Sequence, residues 1–212
     1  MKANDISLGI ILFSFIIGAF AYSYAPDIIP THWNAQGEID GYMDKFWGLF
    51  LLPIISFGLF ALFVYVPKYD PRKKNLELFK DYYQGIILVT IGFLFYIYIL
   101  SIMAAFGYKF NMVQMMSPAF GGLFYYMGTA LEKTKSNFFV GIRTPWTISD
   151  ETVWEKTHKI GGTLFKASGV IAVFGAFFKE IAIMLIIAPI LAVSVFSIVY
   201  SYLEYKKIHK GE

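Results

Sequence analysis

The sequence predicts an all-α, polytopic membrane bundle of six transmembrane helices with both termini in the cytoplasm. Three observations lead there: a shortage of charge, six long apolar runs, and a one-sided distribution of lysine and arginine. Charged residues make up 16% of the chain and hydrophobic residues 57%. A soluble domain carries roughly 25% charged residues to coat its surface, so lipid is the expected solvent here.

A helix needs about 20 mostly apolar residues to cross the hydrocarbon core. The runs that qualify are Ile6 to Tyr24, Phe46 to Val66, Tyr82 to Phe106, Phe110 to Leu131, Ile160 to Phe178 and Ile181 to Tyr202. Lys179 and Glu180 divide the last two, and their charges suit an interfacial turn better than mid-bilayer. Lys2 ahead of the first run and the Ala19-Phe20-Ala21 triplet near its end imitate a cleavable secretory signal. The apolar stretch continues to Tyr24, which favours a retained helix.

Alternate connections share a side of the membrane, and the cytoplasmic side collects Lys and Arg. One side holds Lys2, the basic stretch Lys68 to Lys80, the connection Lys133 to Lys159, and the tail Lys206, Lys207 and Lys210. The other holds Lys45, Lys109 and Lys179. This split places the N and C termini inside. Lys166 falls within the fifth run, near enough to its inner end to snorkel. Trp33, Tyr42, Trp47, Tyr65, Tyr108 and Tyr202 fall near the expected interfaces and fit an aromatic belt.

Several function classes are disfavoured. The chain has no cysteine, which removes disulfides, thiolate metal sites and cysteine nucleophiles. A net charge of +3 is too small to argue direct nucleic-acid binding. Apart from Lys166 the runs carry no ionisable acid, base or His at membrane depth, where ion-coupled transporters place them. Pro53, Pro118 and Pro189 interrupt three runs and either line a substrate cavity as broken helices or are ordinary kinks. Ser117 with Gly121, and Ser168 with Ala172 and Ala176, recur at four-residue spacing and permit close helix packing.

Two long connections remain for function. The outer one, Ala25 to Lys45, has prolines and an Asn34 to Gly37 stretch that predict ordered turns. Its acidic residues could attract a cationic peptide, and His32, Trp33, Asn34, Glu38, Asp40 and Tyr42 are the candidate ligand-binding residues. His32 with Glu38 and Asp40 offers groups zinc accepts, yet the spacing matches no established signature, so no metal and no cofactor is assigned.

In the inner connection, Glu132 to Lys159, Thr147 and Asp150 have the spacing of a capping box, with Ser149 an alternative cap. A short amphipathic helix leading into the fifth run is expected, with Trp154 and His158 on one face and Glu155 paired to Lys159. Arg143, Pro145, Trp146, Asp150, Glu151, Trp154 and His158 are either a docking surface for a soluble partner, built on arginine and aromatic anchors, or a structural motif in which Trp154 is buried at the lipid interface and Arg143 ties down loop carbonyls. His209, in the basic tail, is expected to be solvated. No HExxH, GxSxG or P-loop pattern occurs, and His32 and His158 fall on opposite sides, so the chain is not expected to be an enzyme.

The inner stretch from Asn137 through Phe165, with Gly-Ile-Arg-Thr-Pro-Trp, Ser149-Asp150, Val153-Trp154, His158 and Gly161-Gly162, resembles the C-terminal signature of the SdpI family of membrane immunity and signalling proteins. The outer Ile29-Pro30-Thr31-His32-Trp33-Asn34, with Gly37 and Asp40-Gly41-Tyr42, is similar to a short extracytoplasmic module often found N-terminal to it. With no soluble domain or low-complexity segment the chain reads as one membrane domain over residues 1–212, within which the resemblance implies a module over about 6–66 and an SdpI-like region over about 110–203. It further implies protection from a secreted toxin at the outer face and capture of a cytoplasmic repressor protein at the inner face. Competing readings are a small-molecule transporter or channel, motivated by the prolines, and a metal-dependent membrane enzyme with an outer site around His32.

Overall fold

The computed structural model describes residues 3–210. Lys2, one of the basic residues expected to orient the chain, lies outside the described residues. The order is α1 (Ala3–Tyr22), β1 (Ile28–Trp33), β2 (Ile39–Asp44), α2 (Lys45–Tyr65), α3 (Lys73–Glu77), α4 (Lys80–Ala105), α5 (Met112–Leu131), α6 (Pro145–Ser149), α7 (Glu151–Phe174) and α8 (Ala182–Ile208). Each expected run falls on one long helix. Of these, α1, α2, α4 and α8 are long and apolar enough to cross a membrane. Helices α5 and α7 are more polar, through Gln114 and a run of glycines in the first and Glu151, Glu155, Lys156, Lys159 and Lys166 in the second.

The fifth run needs correction. Helix α7 begins at Glu151 rather than Ile160, so the expected amphipathic helix and the apolar run are one continuous element. The capping box is also displaced. Thr144 caps α6, its hydroxyl accepting from the Thr147 amide at 3.2 Å while the Thr147 hydroxyl accepts from the Thr144 amide at 3.0 Å. Asp150 then caps α7, accepting from the Val153 amide at 2.9 Å. The prolines do not break their helices, because α2, α5 and α8 run uninterrupted through Pro53, Pro118 and Pro189.

Helix α1 packs on α2 and α4, α5 on α7, and α7 on α8, with α4 against α5 joining the halves. Contact between α5 and α7 is backbone to backbone. A Cβ added at Gly162 would lie 2.6 Å from the Gly128 carbonyl oxygen, and one at Gly169 would lie 2.6 Å from that of Gly121. With no hydrophobic drive between helices in lipid, such close approach supplies the packing. Lys166 of α7, expected to snorkel, instead pairs with Glu132 just beyond α5 at 2.7 Å.

The outer connection is not turns alone but an antiparallel hairpin in which Ile28 faces Asp44 and Trp33 faces Ile39. Asn34 closes it, its side-chain oxygen accepting from the amides of Gln36 and Glu38 at 3.0 Å each. Gly37 takes φ 76°, a left-handed conformation that favours glycine. The tip is docked on the start of α5, with the Asn111 amide donating to Gln36 at 2.5 Å and the Met112 amide to Gly37 at 3.2 Å. Asp44 caps α2 through the Phe46 amide at 3.1 Å. The hairpin, Lys109 and Lys179 border one cleft at this end of the bundle. The α2–α4 loop, the α5–α7 connection and the tail of α8 gather at the other.

The glycine contacts yield a test. Gly169→Val should be destabilised by at least about 2 kcal/mol, as overpacking of a tight contact typically costs. Gly122→Ala, where nothing lies within 4 Å of the added carbon, should match or exceed the parent. Thermal unfolding in one detergent compares the two.

Candidate functional site

At the hairpin end, a cavity of about 630 Å³ opens beneath β1. Thr31 to Ala35 roof it, and its walls come from the first turns of α2, α5 and α8 and the last turns of α4, including Trp47, Leu52, Met116, Phe120 and Ile187. Pro53, Pro118 and Pro189 each lie about 10 Å in from the start of their helix, at 1.5 Å per residue, near the level of the cavity floor. An apolar cavity with a few polar groups at its mouth is the usual form of a ligand site.

Of the expected outer residues, His32, Trp33 and Asn34 stand at this mouth. Asp40 does not reach the cavity but pairs with His32 Nδ1 at 2.5 Å on the exposed face of the hairpin. Glu38 borders the neighbouring cleft with Lys109, Asn111 and Lys179. Tyr42 is 60% exposed and lines neither. Among the described residues, no three His or acidic groups gather as a metal-holding cluster. Met112 and Met116 of the cavity wall were missed by sequence reasoning. The Asn111-Met-Val-Gln-Met-Met116 string was the available signal, since methionines line adaptable apolar surfaces.

At the opposite end, the connection 132–150 is largely irregular and partly buried, so its buried backbone groups must find partners. Asn137, fully buried, donates to the carbonyls of Lys135 at 2.7 Å and Val140 at 2.9 Å and accepts from the amides of Phe139 at 2.8 Å and Val140 at 2.6 Å. From the α2–α4 loop, Asp70 accepts from the Phe138 amide at 2.8 Å and Asn75 donates to the Ser136 carbonyl at 2.7 Å. Arg72 donates to the Ser136 hydroxyl and, at 3.2 Å, to the Ile148 carbonyl. Thr144 reaches Ser201 of α8 at 3.0 Å.

His158 is the centre of this arrangement. Its Nδ1 lies 2.8 Å from the Trp154 carbonyl, and its Nε2 lies 2.8 Å from the Ile142 amide nitrogen. A carbonyl only accepts and an amide N–H only donates, so the ring must be neutral with its proton on Nδ1. Burial pushes its pKa down to about 4, opposed by the hydrogen bond to Trp154. Trp154 stacks on the imidazole at 3.9 Å between ring centres and donates through Nε1 to the Thr134 carbonyl at 3.1 Å. Gly141, at φ 129°, passes directly over this pair, where an added Cβ would lie 2.9 Å from the indole.

Trp154 and His158 therefore do share a face, but it points inward. Each is 1% exposed, so neither side chain forms the surface, and Trp154 is buried in protein rather than at a lipid interface. Arg143 ties the Phe138 carbonyl at 2.5 Å. With Pro145, Phe138, Ile148 and Ser149 it lines a shallow open cleft. Trp146 packs on Tyr202 of α8, 5.1 Å between ring centres. Glu151 is exposed at the start of α7. Glu155 pairs with Lys135 at 2.6 Å rather than with Lys159. His209 is not solvated alone but meets Asp150 at 3.2 Å and stacks on Tyr205. The Val153 amide bond and, against the cost of burial, His209 hold the Asp150 carboxyl below its ordinary pKa.

Comparison with known proteins falls on these same two ends. The model described as the SdpI/YfhL protein family matches residues 133–201, which hold the His158 arrangement, α7 and most of α8. That stretch of the chain is similar to the SdpI/YfhL family. A second model, described as a domain of unknown function (DUF1648), matches residues 9–57, which hold the hairpin and its flanking helices. The immunity protein SdpI of Bacillus subtilis (strain 168) is 28% identical over 213 residues, covering 99% of this chain and 99% of that protein. No solved structure matches. The resemblance read from the two loops is thus borne out.

The neutral His158 predicts an acid-sensitive fold. Its folded pKa lies below the unfolded value of about 6.5, so the unfolded chain binds the extra proton between the two. Stability from this group is complete above pH 6.5 and is lost as pH falls toward 4, by about 3 kcal/mol in all. Asp150 acts in a lower window, its contribution fading only as pH drops below its ordinary range. Unfolding in detergent between pH 7.5 and 4.5 should show the loss. His158→Phe should start lower and show less of the pH 6.5 to 4.5 slope.

Proposed function

We propose that this chain is a membrane immunity protein without enzymatic activity, protecting its host from a secreted toxin peptide at the hairpin end and capturing a cytoplasmic repressor protein at the other. The observation that carries this is the end-to-end similarity to the Bacillus subtilis immunity protein. In this reading all six long helices cross the bilayer with both termini in the cytoplasm. The one-sided basic residues support it, as does the gathering of the hairpin, Lys109 and Lys179 at one end of the bundle. Helices α5 and α7 cross despite their polarity because their glycine-rich faces meet each other and Glu132 neutralises Lys166.

A toxin with an apolar segment would enter the cavity beneath Thr31 to Ala35, where Trp33 and Trp47 supply large apolar contact area. The repressor would dock on the cleft around Arg143 and Pro145 and on the adjoining Trp146 and Glu151. Trp154 and His158 contribute by holding that surface in shape. The transporter reading loses ground because the prolines leave their helices unbroken.

Expression in a toxin-sensitive strain should confer survival. Trp47→Ala should reduce protection about tenfold or more, the size of a lost aromatic anchor. Pro145→Glu with Glu151→Lys should abolish co-purification of the repressor while leaving survival intact. Survival that is indifferent to the protein, or equally impaired by both sets of changes, would overturn the division of labour.

A further inference from the structure

A second cavity, of about 550 Å³, lies at the repressor end and is used by none of the chemistry above. It sits between the start of α1, the end of α2, α3 and the start of α4. Its rim carries Lys68, Lys73, Lys74 and Lys80 against the single carboxylate of Glu77. Lys80 pairs with Glu77 at 3.4 Å and Lys68 lies over the Tyr65 ring at 4.5 Å. Among the described residues, Lys73 and Lys74 have no ion pair. The floor is apolar, built from Phe63, Val64 and Ile87. Asn4 of α1 stands in the wall, and its side-chain oxygen is buried with no hydrogen-bond partner.

Four cations above an apolar floor are amphipathic in the sense a phospholipid is. A free anion would satisfy the rim and leave the floor empty. A neutral lipid would fill the floor and leave the lysines unneutralised. The orphaned Asn4 oxygen calls in addition for a hydroxyl or amine donor, because a buried acceptor without one costs free energy.

We propose that this cavity binds one anionic phospholipid of the leaflet at that end, with its phosphate among Lys68, Lys73, Lys74 and Lys80. One acyl chain lies along Phe63, Val64 and Ile87, and a headgroup hydroxyl donates to Asn4. The lipid wedges between α1 and α4 beside the loop that carries Asp70 and Arg72, and so braces the face that supports residues 136–148. The assignment of this leaflet as cytoplasmic rests on the orientation proposed above, whereas the binding itself does not.

The full-length protein, purified in mild detergent, is offered phosphatidylglycerol, phosphatidylcholine or soluble glycerol phosphate, and bound species are counted by native mass spectrometry. One phosphatidylglycerol should be retained in preference to phosphatidylcholine by about fivefold or more, given roughly 1 kcal/mol per basic residue at an anionic surface. Lys73→Gln with Lys74→Gln should remove the preference. Lys206→Gln with Lys210→Gln, equal in charge change but distant from the cavity, should keep it. Asn4→Leu should lower phosphatidylglycerol retention and leave phosphatidylcholine unchanged. Equal retention of the two lipids, an equal effect of both lysine pairs, or binding of glycerol phosphate as tight as that of the lipid would overturn the proposal. Failure of the survival assay with intact lipid selectivity would instead overturn the immunity reading alone.

Discussion

Where irregular backbone packs into a fold, its buried amides and carbonyls must be met by side chains, because neither a helix nor a sheet does it. In this chain that constraint falls on the connection between α5 and α7, and the hydrogen bond from the Ile142 amide to the neutral imidazole of the buried His158 is central to meeting it. Asn137, Asp70, Asn75 and Arg72 serve the rest of the connection in the same way. The long helices give a frame, but these polar contacts decide what shape the frame presents on this side.

The same connection links parts of the bundle that are remote in sequence. Through Asp70 and Arg72 it is tied to the α2–α4 loop, through Thr144 to α8, and through His158 to α7. Helix α7 in turn is held against α5 by glycines at both ends of the contact, and α5 carries the hairpin tip on Asn111 and Met112. A continuous chain of close contacts therefore runs from the roof of the cavity beneath β1 to the cleft around Arg143. Such a path is a physical means by which occupancy at one end could alter the other, provided the contacts have two arrangements.

The helical frame was legible because a span needs an apolar run of fixed length, and each of the six runs falls on one long helix, four of them long and apolar enough to cross a membrane. The hairpin was not, since its first strand is interrupted by Pro30 and its pairing depends on an irregular register at His32 and Gly41. Helical spacing correctly put Trp154 and His158 on one face, but spacing alone does not say whether a face turns inward. That depended on Gly141 passing over the rings. The partnership of Asp70, Arg72 and Asn75 with Ser136 and Phe138 joins segments more than sixty residues apart, and nothing local encodes it. Lys166 and His209 looked solitary in the sequence because their acids, Glu132 and Asp150, arrive from other elements.

The protonation state of His158 is the most direct measure of the whole arrangement. Nitrogen-15 spectra of the imidazole in the folded protein should show a single neutral form with the proton on Nδ1, unchanged between pH 8 and about 5, as a pKa near 4 requires. A proton on Nε2, or titration near the ordinary value of about 6.5, would contradict the account, because the Ile142 amide would then have no acceptor.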